Sequence, residues 1–355
     1  MKVLNIGSMN LDYVYRVDHI VQPGETISSQ GMNIFLGGKG INQSIALAKA
    51  GAEVYHGGMI GEDGEAFLDA CKEYGVHSQY ICRIEGKTGH TIIQIDKEAQ
   101  NCILLYGGAN QKLTHEYVDG VLSHFQDGDI LLLQNEVNDI AYMVDRAYEK
   151  GMQIALNPSP FDDRLREVNM DKISIFLLNE IEGGQITGLT DPEEIFEEMC
   201  HRFPKAKIVL TLGKDGAVYG EKGKRYEQPI FPVQAVDTTA AGDTFTGYFL
   251  AGLVEGMPIE KILEMSAKHP PLLLPERGRF HPFRTAARYR RHCSNKKLSF
   301  ILKLTLTKIL KMCYNKYRSK EDINCRKSDI QGLPAYLWWD GTSLLKYLDF
   351  EVIVS

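Results

Sequence analysis

The sequence predicts an α/β protein: a largely parallel sheet covered by helices on both faces, three layers in all, with a small accessory β-sheet. Three observations point there. Short, near-continuous apolar runs alternate with amphipathic helical patterns over residues 1–267, as expected of parallel strands buried on both faces. Two stretches, 21–36 and 88–105, break the rhythm. They are strand-like and free of helical pattern, and predict a lid projecting from the main sheet, from about 12–36 and 88–105. Beyond residue 267 the composition changes. Residues 268–355 hold 18 Lys+Arg and 7 Asp+Glu, leaving 22 and 39 for residues 1–267. The net charge of −6 therefore joins a body at −17 to a tail at +11.

The composition excludes several classes. At 44% hydrophobic and 24% charged, the chain is neither collagenous nor disordered. The mild net charge argues against dedicated nucleic-acid binding. The apolar run after Met1 is too short for a signal peptide. No stretch approaches the roughly 18 apolar residues of a spanning helix, so no membrane partner is expected. Seven cysteines, an odd number with no Cys-x-x-Cys pair, fit reduced thiols better than a disulfide framework. A cytoplasmic location is expected.

In chain order, Val3–Ile6 reads as the first strand. Gly37-Gly38-Lys39-Gly40-Ile41-Asn42-Gln43 then opens a helix over 43–50. Glycines there let a ligand approach the backbone, and the helix start offers free N–H groups. An ordinary turn before a helix explains the same residues equally well. A second helix is expected over 65–73. Gly86-Lys87-Thr88 ends like a phosphate-binding loop, but Ile81 stands where its upstream glycine should be. Strands follow at 130–133, 153–156, 173–178 and 207–212, with helices at 141–150 and 192–201. Asn179-Glu180-Ile181-Glu182 follows one strand and reads as a helix start with acids in its first turn. Thr211-Leu212-Gly213-Lys214-Asp215-Gly216 closes another, where ligands bind in open α/β sheets or where a hairpin turns. The sharpest junction is Val236-Asp237-Thr238-Thr239-Ala240-Ala241-Gly242-Asp243-Thr244-Phe245, running into an apolar helix over 244–255. Dipole compensation explains Asp243, but not the small residues before it. A Gly-flanked helix start is a natural seat for a transferring phosphoryl group.

Together these motifs resemble the ribokinase (PfkB-type) family of carbohydrate kinases. The opening signature appears as Gly7-Ser8-Met9-Asn10-Leu11-Asp12 and Pro23-Gly24-Glu25-Thr26, followed by the glycine motifs at 37–43 and 237–245. Many relatives lack the lysine, so Lys39 points to the ribokinase type. The resemblance covers residues 1–267 and implies a three-layer α/β/α ribokinase-like domain whose β lid also serves a homodimer interface. It implies ATP-dependent phosphorylation of the primary 5-hydroxyl of a pentose, D-ribose. Asp243 would be the base, with Ala241 and Gly242 holding the γ-phosphate through their N–H groups. Asn10, Asp12, Gly38, Lys39, Asn42 and Glu136, with Asp243, would bind the sugar. Asn179, Thr211, Leu212, Gly213, Lys214, Asp215, Gly216 and Gly242 would line the nucleotide. Glu182 would help hold hydrated Mg²⁺, and Asp237 and Thr239 would help build a K⁺ site.

The resemblance stops at Ser266-Ala267. The family continues with an alanine-rich helix and an Arg-x-Gly-Ala turn; here Pro270-Pro271 would end a helix. Shifting the codon frame makes 270–284 compatible with Ala-Ala-Ala-Val-Ala-Arg-Glu-Gly-Ala-Val-Ser-Ser-Ile-Pro, the missing segment. The tail thus reads as a frameshift product, a basic, poorly ordered segment unrelated to the body. A genuine appendage is the competing reading. The basic run at 284–297 would suit a nucleic-acid contact, and the mixed run at 300–309 a membrane surface. Neither carries a recognised module.

Overall fold

The structure, a computed structural model, describes residues 1–231 and 240–269. Nine strands form the main sheet: β1 Val3–Ile6, β4 Val54–Ile60, β5 His77–Arg83, β8 Ile130–Gln134, β9 Gln153–Asn157, β10 Ile175–Asn179, β11 Lys207–Thr211, β12 Ala217–Glu221 and β13 Lys224–Gln228. Their spatial order is β13-β12-β11-β10-β9-β8-β1-β4-β5. Pairing is parallel from β5 to β11 and antiparallel through β12 and β13. The central strands are buried on both faces, which is why they read as unbroken apolar runs.

Helices cover both faces. One core gathers α3 (His115–Leu122), α4 (Ile140–Glu149) and α6 (Pro192–Arg202) around Phe176, Leu133 and Ile154. The other gathers α1 (Lys39–Ala50), α2 (Glu65–Tyr74), α7 (Ala241–Val254) and α8 (Ile259–Lys268) around Phe67, Ile45 and Phe249. A short helix, α5 (Glu180–Thr187), follows β10. α7 is buried continuously from Asp243 to Gly252, so it is apolar all round rather than striped. α8 ends at Lys268. His269 is extended (φ −85°, ψ 129°), the conformation that a following proline imposes.

The accessory sheet has four strands in the order β3-β2-β6-β7: β2 Asn10–Arg16, β3 Gly31–Gly37, β6 Gly89–Ile95 and β7 Asn101–Tyr106. The expected bounds shift here. The lid begins at Asn10 rather than at 12, and 17–30 joins β2 to β3 without strand, because its Pro-Gly-Glu turn breaks the ladder. Strands β4 and β5 had no counterpart in the sequence expectation. Asp237, Thr239 and the tail from 270 onward lie outside the described residues.

Candidate active site

Two glycine positions show why the first motif has its sequence. Gly38 sits at φ +101°, and a Cβ there would meet Asn10 N at 2.9 Å and Ser8 O at 3.0 Å. Gly40 is packed backbone to backbone on Gly7 and Ser8, where a Cβ would lie 2.4 Å from Ser8 N. The glycines thus bring the start of α1 against the β1–β2 connection, which only residues without side chains permit. Ser8, fully buried, donates its hydroxyl to Glu136, and Lys39 N donates to the same Glu136 Oε2 at 3.0 Å.

At the other side stands the start of α7. Ala240 adopts φ +61°, a left-handed conformation costing a non-glycine residue about 1 kcal/mol. Thr244 donates both its N–H and its hydroxyl to Ala240 O, each at 2.9 Å, which holds this turn. Asp243, in the first turn, is only 5% exposed. Its carboxylate accepts from Asn42 Nδ2 at 3.0 Å and from Gln43 Nε2 at 2.9 Å. Two donors on the motif of α1 therefore hold the acid of α7, some two hundred residues away in sequence.

Between them lies a cleft of about 210 Å³, lined among others by Lys39, Asn179, Glu182, Ala241, Gly242 and Asp243. Burial alone would lower Lys39. The carboxylates of Asp243, Glu136 and Glu182 outweigh it and raise its pKa, so the ammonium stays charged. Burial likewise raises Glu136, against the pull of Lys39 and its hydrogen bonds to Ser8 and Lys39 N. Asn179 caps α5: its side chain accepts from Ile181 N and Glu182 N, and Glu182 Oε2 accepts from Asn179 N at 3.1 Å. This capping box accounts for both residues structurally. It still leaves one oxygen of Glu182, a residue only 6% exposed, unused by the box at the cleft.

Among the described residues, no cluster of three or more His, Cys, Asp or Glu is arranged to hold a metal. With both oxygens of Asp243 already accepting from amides, the free oxygen of Glu182 at this cleft would fit Mg²⁺ held mainly by water and phosphate oxygens, and not a caged metal.

The remaining expected residues are placed as follows. Asn10 accepts from Asn110 Nδ2 at 2.8 Å. Asp12, on β2, accepts from Thr91 Oγ1 at 2.6 Å. Burial raises its pKa to about 6, with Glu136 adding to the rise and Thr91 opposing it. Thr211 reaches the cleft. Leu212–Gly216 forms a tight turn, closed by Leu212 N to Gly216 O at 2.8 Å, that leads antiparallel into β12. Leu212 and Asp215 line a separate cleft of about 240 Å³ beside Phe196 and Arg225. The hairpin is therefore present, and of these six residues only Thr211 joins the cleft of Asp243.

Sequence reasoning passed over Ser8, Gln43, Thr91, Asn110 and Gln134. All are buried and polar. Ser8 and Gln43 lay inside quoted motifs, and Gln134 ends an apolar strand, which is the signal that would have found it.

The family model described as pfkB family carbohydrate kinase matches residues 1–268. The ribokinase of Arabidopsis thaliana is 34% identical over 292 residues, covering 77% of this chain and 76% of its own. That of Bacillus subtilis is 33% identical over 268 residues, covering 74% and 88%. Among solved structures, Arabidopsis thaliana ribokinase complexed with ribose and ATP superposes with a TM-score of 0.66 at 31% identity, covering 75% of this chain and 90% of that one. Ordered motifs, sheet topology and the match along 1–268 place this chain in the pfkB family of carbohydrate kinases.

Proposed function

We propose that the chain transfers the γ-phosphoryl group of ATP to the primary 5-hydroxyl of D-ribose, giving ribose 5-phosphate. The observation that carries this reading is Asp243. It is buried at the first turn of a helix, held by two side-chain amides, and faces a cleft that Lys39 also lines. In a loose phosphoryl-transfer transition state, positioning dominates and a carboxylate suffices as base. Asp243 takes the proton of the attacking hydroxyl. The N–H groups of Ala241 and Gly242 face the transferring group at the helix start. Lys39 adds positive charge on the same cleft. Asn10, Asp12, Gly38, Asn42 and Glu136 bind the sugar hydroxyls, and Asn179, Thr211 and the turn 212–216 border the nucleotide. Glu182 would hold hydrated Mg²⁺, which would supply neutralisation of phosphate charge. Asp237 and Thr239 are proposed for K⁺. Asp243→Asn should lower kcat by about 10³-fold, within the range for a general base, while ribose affinity is kept. Undiminished turnover refutes the assignment.

The lid is proposed to pair with a second copy of the chain in the cytoplasm. On β7, Ile103 is 56%, Leu104 66% and Leu105 46% exposed, an apolar edge strand that soluble proteins ordinarily cover.

We propose the domain boundary at 267, with 268–355 a basic segment foreign to the kinase body. The family match ends at 268. This favours a second reading, a sugar-binding body without turnover. An ATP-coupled assay with ribose, with and without K⁺, separates the two: ribose binding without turnover selects the second.

A further inference from the structure

Behind Asp243 a file of buried amides runs into the core. Gln43, fully buried, donates Nε2 to Asp243 Oδ1 at 2.9 Å and to Asn157 Oδ1 at 3.0 Å. Its Oε1 accepts from Gln134 Nε2 at 2.7 Å. Gln134 also donates to Asn5 Oδ1 at 3.1 Å. Asn5 Nδ2 in turn donates to Gly40 O at 2.7 Å and to Ser44 Oγ at 2.9 Å.

A carboxamide has two faces, one donating and one accepting, and could be turned over. Two backbone carbonyls forbid it here, because a carbonyl only accepts. Gly40 O fixes the NH₂ of Asn5, so Asn5 Oδ1 faces Gln134. Gln134 must then turn its NH₂ to Asn5 and to Gln43. At the other end, Asn157 Nδ2 donates to Leu177 O at 2.8 Å, leaving Asn157 Oδ1 for Gln43. From both ends, Gln43 is forced to present its NH₂ to Asp243. The reverse arrangement would set a carbonyl against the carboxylate and two NH₂ groups against each other. The same orientation leaves Gln134 Oε1 without a hydrogen-bond partner, so the direction is imposed by the file and not by the comfort of Gln134 itself. With Asn42 on Oδ2, each oxygen of Asp243 has a side-chain amide donor, and the one on Oδ1 is held in a fixed direction.

We propose that Gln43, oriented by Gln134 and Asn157, is the positioning residue that fixes the Asp243 carboxylate for proton acceptance. It acts through Asp243. The inference rests on Asp243 being the base.

The test compares kcat and KM at saturating ATP for two variants that keep side-chain length and lose the amide. Gln43→Met should lower kcat about 100-fold, the scale of a 1 Å misplacement of a reacting group, with KM for ribose changed by less than about threefold. Gln134→Met, which does not touch Asp243, should lower kcat about tenfold with the same unchanged KM. Thermal melting reports whether each variant is folded. A folded Gln43→Met protein with kcat within about threefold of the parent, or with its loss confined to KM, overturns the proposal. If Gln43→Met does not fold, Gln134→Met decides by the same criteria. Asp243→Asn is run alongside. Full turnover there removes the base assignment and this proposal together, whereas lost turnover there with normal kcat in Gln43→Met removes only the proposal.

Discussion

Asp12→Asn should make the unliganded protein more stable at neutral pH. Asp12 accepts from Thr91 Oγ1 at 2.6 Å, and burial, together with the charge of Glu136, raises its pKa from 3.8 to about 6. The folded protein therefore holds this proton more tightly than the unfolded chain does. The contribution is fully present below the ordinary carboxylate pKa. It is lost as pH rises from about 4 to about 6, and above that the ionised group costs the fold a constant amount. A rise of about two units at 1.36 kcal/mol each is about 3 kcal/mol. That is a large share of a typical net stability of about 5–15 kcal/mol. Asparagine keeps the shape and the acceptor for Thr91 and removes the charge. Urea unfolding followed by circular dichroism, without sugar, at pH 5, 6, 7 and 8, should show the variant's midpoint higher by about 1 M at pH 7 and 8, with the gap narrowing toward pH 5. A variant no more stable than the parent at pH 7, or a gap independent of pH, refutes the reasoning. Ribose affinity should fall in the same variant, since an ionised acceptor is lost.

Two further outcomes follow from the geometry. Glu182→Gln should leave the melting temperature nearly unchanged, because glutamine also completes a capping box, while the Mg²⁺ concentration for half-maximal rate rises about tenfold; a loss of stability with unaltered Mg²⁺ dependence would make Glu182 a cap alone. If the lid pairs two copies as proposed, Leu104→Asp should give monomers in light scattering at micromolar protein where the parent is dimeric, since a charge on the centre of an apolar interface is left unpaired; a parent that is monomeric, or a variant that stays dimeric, would take the interface off the lid.

The main sheet was legible where strands are short and uninterruptedly apolar. Val3–Ile6 and Lys207–Thr211 were read nearly to their bounds for that reason. Strand β4 escaped because His56, Gly57 and Gly58 interrupt its apolar run. His56 is tolerated there because burial lowers its pKa to about 3, keeping the ring neutral, and Ser44 Oγ lies 2.8 Å from its Nδ1. The start of α5 was read at Asn179–Glu182, but its extent was not, because it is short and carries two adjacent glycines. The site was legible through its charged residues and its glycines, which stand out within ten-residue windows. The amides were not. Gln43 and Gln134 are 91 residues apart, and neither bears a charge or a nucleophile. What each does is set by the direction of its dipole, a property of the assembled core and of no local spacing.

The contact of Gly7 with Gly40 has a consequence for how such a site can change. A Cβ on Gly7 would meet Gly40 Cα at 2.7 Å and Gln134 Oε1 at 2.4 Å, and a Cβ on Gly40 would meet Gly7 Cα at 2.6 Å. Neither position can take a side chain while the other stays, and a joint change only worsens the collision. The two glycines, the serine between strand and lid, and the glutamine behind them are thus sterically tied into one block. If the lid strands hold the sugar as proposed, a new sugar preference would be written more readily there, at positions such as Asn10, Asp12 and Thr91, where side chains meet side chains.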